Sequence, residues 1–330
     1  MELDHRSLRP ADVQEIDAQA SVFMNEGIRL MDDTRSEVIA AALQCFDCAL
    51  ELRCRLPIET SPMLRYSLAA CWLNRADALM RLVEIHEHTQ LALRSYGQAL
   101  DLLRDLPLHE DARFARRLAI AHQNRGLALQ SQNTSVTSEI MQEFLKAIQI
   151  LEHEYAAQIN DRLYLLAAVW TNLANAELAE PDTQSEKRAA EAAQRAITLI
   201  ADFETDDVHI AEVGMKARHV LCRAIARRLS QITDMDTKMP TDVHDATDAA
   251  DDGLALARHW EQKGVVRFRN TAHDFFRFGT RVYARYQPQF LAEFVSENMD
   301  PAQSSPSYVE SEEMRSVARE ANGLVSHFER

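Results

Sequence analysis

Glycine and proline are scarce, eight and nine in 330 residues. That scarcity argues against a fold built on tight turns or short strands and favours long helices, which the abundant Ala, Leu, Arg and Glu also favour. No apolar run of 18 residues occurs, so no membrane-spanning helix is expected. The opening Met-Glu-Leu-Asp-His-Arg lacks the apolar core of a secretion signal, and the cytoplasm is the expected compartment. Five cysteines, an odd number, fit a reducing compartment better than a disulfide framework. Basic residues are outnumbered, 36 against 51 acids. The resulting charge of −15 disfavours nonspecific binding to nucleic acid or to an anionic membrane.

What is present is a repeat. The stretch Trp72 to Leu79, Trp-Leu-Asn-Arg-Ala-Asp-Ala-Leu, returns in variant form along the chain. Its asparagine heads a column of Asn25, Asn74, Asn124, Asn172, Cys222 and Asn270, at intervals of 49, 50, 48, 50 and 48 residues. Two residues on, every copy is small: Gly27, Ala76, Gly126, Ala174, Ala224 and Ala272. A fixed period in this range means stacked supersecondary units, none able to bury its apolar face alone. Apolar residues recurring every three or four positions, punctuated by polar turns, divide each period into two antiparallel helices. The expected architecture is all-α, one solenoid of six hairpins spanning approximately 11–57, 62–107, 110–158, 161–203, 207–262 and 264–298, with a capping helix over 309–328. The connection containing Met239 and Pro240 is longer than the others.

These features resemble the tetratricopeptide repeats. In that motif the first helix has an aromatic residue, a polar one two later and a small one two beyond, and Phe23, Trp72, Trp170 and Phe268 fill the aromatic place. Its second helix has a small residue, a large one four later and an alanine three beyond. Ala42, Phe46 and Ala49 match, as do Ala92, Tyr96 and Ala99, Ile140, Phe144 and Ala147, and Ala189, Ala193 and Ala196; Ala246, Ala250 and Gly253 follow more loosely. The period departs from the family's usual one of about 34 residues, and the sixth copy lacks a convincing second-helix match. The resemblance implies a right-handed superhelix whose first helices line a concave face that grips a peptide or a partner protein. By position, the candidate contacts are Asn25, Asn74, Asp77, Gln123, Asn124, Gln130, Asn172, Asn175, Arg228, Arg269, His273 and Arg277. An asparagine donates and accepts, so such a ladder suits the amides of an extended chain. Bonds between neighbouring helices would use the same groups.

Charge is segregated toward the C-terminal end. Lys216 to Arg228 and Lys263 to Arg285 hold eleven basic residues, Arg218, Arg228, Arg269 and Arg277 among them, against one acid, Asp274. Arg269, His273, Arg277, Arg281 and Arg285 follow every fourth residue. Each step advances about 40° around a helix, so the five cannot share one face and only the middle ones are expected to act together. A basic pocket for a small acid, a signal peptide or an acidic segment is one expectation. Internal neutralisation by Asp242, Asp245, Asp248, Asp251 and Asp252 is the other.

Cys45, Cys48 and Cys54 are expected to be small buried residues of a packed helix, because no second ligand pair completes a zinc site. His86 and His88, with Glu84 and Glu87, read as a solvated turn. No glycine-rich phosphate loop, nucleophile elbow or zinc-peptidase helix is found. The expectation is therefore a non-enzymatic protein-binding module with no cofactor and no metal. A ligand-responsive regulator is the alternative.

Overall fold

The computed structural model describes residues 8–82, 86–132, 137–180, 183–231 and 241–299, together with Arg315, Ser316, Arg319 and Gly323. Apart from those four residues, the capping helix expected over 309–328 lies outside the described residues, as do Glu84, Met239 and Pro240. The described residues form twelve α-helices and no strand. They are α1 Pro10–Leu30, α2 Ser36–Arg53, α3 Pro62–Arg81, α4 His86–Leu103, α5 Ala112–Ser131, α6 Thr137–Glu152, α7 Arg162–Glu177, α8 Thr183–Ile200, α9 Val208–Gln231, α10 Thr241–Gln262, α11 Arg269–Tyr286 and α12 Pro288–Asn298. Few prolines are present, and three of them open α1, α3 and α12, where the missing N–H is not needed. Asp111 starts α5 by accepting from the Arg113 backbone N–H at 2.8 Å.

The chain divides into two compact units, Met1–Leu165 and Leu166–Arg330. In the first, α1 pairs with α2, α3 with α4 and α5 with α6, and each hairpin packs on the next through α2 against α3 and α4 against α5. This is the stacking of an α-solenoid. The column of small residues explains it: Ala76, Ala174 and Ala224 are wholly buried, Ala272 nearly so, and Gly27 and Gly126 lie among the buried residues of their helices. A Cβ on Gly27 would stand 2.5 Å from Phe46 Cε1, and one on Gly126 would stand 2.7 Å from Phe144 Cε1. Each phenylalanine lies flush on the backbone of the partner helix, which is the small-to-large alternation that close helix packing requires.

Polar side chains then lock hairpin to hairpin. Arg53, buried on α2, donates to Asp17 on α1 at 2.9 Å and to the Ser67 carbonyl on α3 at 2.9 Å. Arg75 on α3 likewise reaches Asp47 on α2 at 2.6 Å and Ser95 on α4 at 2.8 Å.

The second unit repeats the plan. Trp170 on α7 carries the Arg195 guanidinium of α8 over its ring at 4.7 Å, and Arg188 of α8 donates to Glu177 at 3.0 Å. The first helix α9 packs on α8 and α10, and α11 packs on α10 and α12. The sixth hairpin, which has no convincing motif match, uses a displaced version of the same device. Gly279, seven residues after Ala272, receives Phe294 of α12, whose ring stacks on Phe276 at 5.5 Å between centroids.

Candidate functional site

In the second unit the first helices α9 and α11 touch, and α7 lies beyond α9. On α9, Glu212, Lys216, His219 and Arg223 recur at steps of four, three and four, so they share one face. They meet Thr171, Asn172 and Asn175 of α7 and Thr271 and Asp274 of α11 around a cleft of about 440 Å³, to which Met215, Val220 and Phe268 add apolar wall and Arg267 a further cation. A second cleft of about 390 Å³ continues between α9 and α11. Arg277, Arg281 and Arg285 border it, Leu229, Phe278 and Val282 supply apolar surface, and it shares His219 and Asp274 with the first.

Six cations and two carboxylates therefore line this surface, on a chain whose formal charge is −15. Glu212 is held by Lys216 at 2.8 Å and Arg267 at 3.2 Å, and the Lys216 hydrogen bond lowers its pKa below the ordinary carboxylate range. Arg223 donates to the Asn175 side-chain oxygen at 3.3 Å. Asp274 stands 3.8 Å from Arg277, a loose pair. Burial lowers the pKa of His219, Asp274 opposes that shift and Arg223 adds to it.

The sequence candidates are distributed unevenly around this surface. Asn172, Asn175 and Arg277 line it. Arg218 points elsewhere, its guanidinium paired twice with buried Glu204, at 2.6 and 2.9 Å. Arg269 donates to Glu261 at 3.1 Å, His273 is buried within α11, and Arg228 is half-buried. Those four arginines do not ring one pocket. Glu204 engages Arg218 and Glu261 engages Arg269, while Asp251 of the α10 aspartate series accepts from the Tyr283 hydroxyl at 2.9 Å. The side chain of Asp242 lies outside the described residues.

In the first unit, Asn124 of α5 donates to Asp77 of α3 at 3.0 Å, and the Tyr96 hydroxyl of α4 donates to the same oxygen at 2.6 Å. That part of the polar column binds helix to helix. Asn25 is exposed, and Asn74, Gln123 and Gln130 are half-buried. Glu212, His219, Thr271 and Phe278 are surface-lining residues that the repeat alignment did not single out. The spacing from Glu212 to Arg223 was the available signal. Among the described residues no group of three or more His, Cys, Asp or Glu side chains could hold a metal ion, and no helix is long and apolar enough to cross a membrane.

No protein-family model matches the chain, and no curated protein matches it. Among solved structures it is similar to BtubC (BKLC) from P. vanneervenii, at 12% identity and a TM-score of 0.50, over 96% of this chain and 92% of that one. The likeness is one of fold.

Proposed function

We propose that the chain is a protein-protein interaction module that holds a peptide or a partner's segment on its first-helix face, without covalent chemistry. The observation that carries this reading is the open cleft along α7, α9 and the start of α11, where polar groups of Asn172, Thr271 and the basic residues stand over the largely buried side chains of Met215, Val220 and Phe268. Open, mixed surfaces of this kind suit an extended chain, whose amides need donors and acceptors while its side chains need apolar contact. A small-ligand regulator would need the arginines gathered round an enclosed cavity. Instead, Arg218 and Arg269 are bonded to Glu204 and Glu261. The resemblance to tetratricopeptide repeats, with its right-handed superhelix and an extended period, belongs to this proposal, as does residence in the cytoplasm.

A photo-reactive residue in place of Thr271, compared with one in place of exposed Lys187 on α8, tests the reading in extract from the native cell. A discrete cross-linked species that forms from position 271 and not from position 187 is the expected result. Equal labelling from both positions would contradict it.

A further inference from the structure

We propose that the second cleft, between the C-terminal half of α9 and α11, takes an acidic segment of a partner protein. This rests on the interaction reading above and specifies the chemistry of the partner. Arg277, Arg281 and Arg285 follow at every fourth residue, so their attachment points span about 12 Å along α11 and an arc of about 80° around it. An arc of that width is too broad for a flat face, but a groove between two helices accommodates it, and all three border the same cleft.

Arg281 and Arg285 are exposed, and among the described residues neither forms an ion pair and Arg277 forms only the loose one with Asp274. The Arg285 guanidinium lies 5.2 Å from the Tyr286 ring centroid. Stacking of this kind leaves the edge of the guanidinium fork available for a carboxylate. A single small acid would satisfy one guanidinium of the three, whereas carboxylates distributed along a segment can each take a paired hydrogen bond. Half-buried Phe278, with Leu229 and Val282 buried beneath it, offers apolar contact to a side chain of the same segment. On a chain carrying −15 overall, a localised cationic groove also fixes where an acidic partner docks, because most of the remaining surface repels it.

The test begins by panning the full chain against a random 12-residue peptide display library. Fluorescein-labelled versions of the enriched peptides are then measured by anisotropy against the wild type, Arg281→Glu/Arg285→Glu and Arg281→Gln/Arg285→Gln, with circular dichroism confirming that the variants keep their helices. The proposal expects enrichment in Asp and Glu with at least one aliphatic or aromatic residue. It also expects affinity that falls with added salt, at least tenfold weaker binding to the charge-reversed chain and an intermediate loss in the glutamine variant. Enriched peptides that are neutral or basic, or an affinity within twofold in the reversed variant, would overturn the acidic partner and leave the interaction reading standing. Tighter binding of a 12-nucleotide single-stranded RNA than of any acidic peptide would overturn it as well. No enrichment above display background would overturn both.

Discussion

Arg218 and Glu204 form a two-bond ion pair with both side chains at least nine-tenths buried, and Gly214 is the residue that makes room for it. A Cβ at Gly214 would stand 1.5 Å from Glu204 Oε1 and 3.0 Å from Arg218 Nη1. Gly214→Ala must therefore displace the pair. Breaking a buried pair costs about 3–5 kcal/mol, because the remaining charge is left uncompensated. The expectation is a loss of that order for both Gly214→Ala and Arg218→Met in urea unfolding. Combining Arg218→Met with Glu204→Gln should recover part of it. A Gly214→Ala variant as stable as the wild type would contradict this geometry.

The contact of Gly126 with Phe144 predicts a coupled pair. Gly126→Ala alone gains about 1 kcal/mol of helix propensity but forces the ring aside at a cost of about 1–3 kcal/mol. It should thus be neutral to modestly destabilising. Placed on Phe144→Leu, the same change should become stabilising, since the clashing ring atoms are gone. Additivity of the two changes in a double-mutant cycle would be evidence against the close approach.

Half-buried Asp77 and buried Glu143 are carboxylates with opposite behaviour. Burial raises the Asp77 pKa above the ordinary carboxylate value, against the hydrogen bonds from Tyr96 and Asn124. Asp77→Asn retains an oxygen for both donors and should change stability by less than about 1 kcal/mol, whereas Asp77→Ala strands the two donors at about 1–3 kcal/mol. Denaturant unfolding of the two variants at pH 7 separates them.

Burial would raise the Glu143 pKa too, but hydrogen bonds from His122 and Lys146, and the charges of His122 and Arg125, bring it down to about 2. A lowered folded-state pKa means that the ionised carboxylate stabilises the fold above its ordinary value of 4.5, and that this contribution is lost as the pH falls toward about 2. Glu143→Gln should therefore be less stable than the wild type at pH 6, with the gap narrowing by pH 3. Urea midpoints across that range measure it, and a constant gap would contradict the assignment.

The repeat was legible because its signal is local and recurrent: Gly27, Ala76, Gly126 and Ala174 stand at one register, and the structure buries all four. The sixth hairpin was less so, since Gly279 and Phe294 perform the usual packing outside the usual register. The basic region was visible as composition, but its use was not. Glu204, the partner of Arg218, lies in an irregular turn after α8, where no helical periodicity marks it as buried. The series from Arg269 to Arg285 cannot share one helix face, yet a groove between helices gathers its last three members, Arg277, Arg281 and Arg285. The pairing of Asp77 with Asn124 joins repeats 47 residues apart in sequence, and only the stacking brings them together.

The most direct measurement is an alkylation footprint on the full chain carrying Thr271→Cys, with Lys187→Cys as reference, resolved by mass spectrometry from the native thiols. Binding of a selected peptide is predicted to slow modification at position 271 at least fivefold and to leave position 187 unchanged. Undiminished reactivity at 271 with the peptide bound, or protection at 187 alone, would contradict a first-helix binding face.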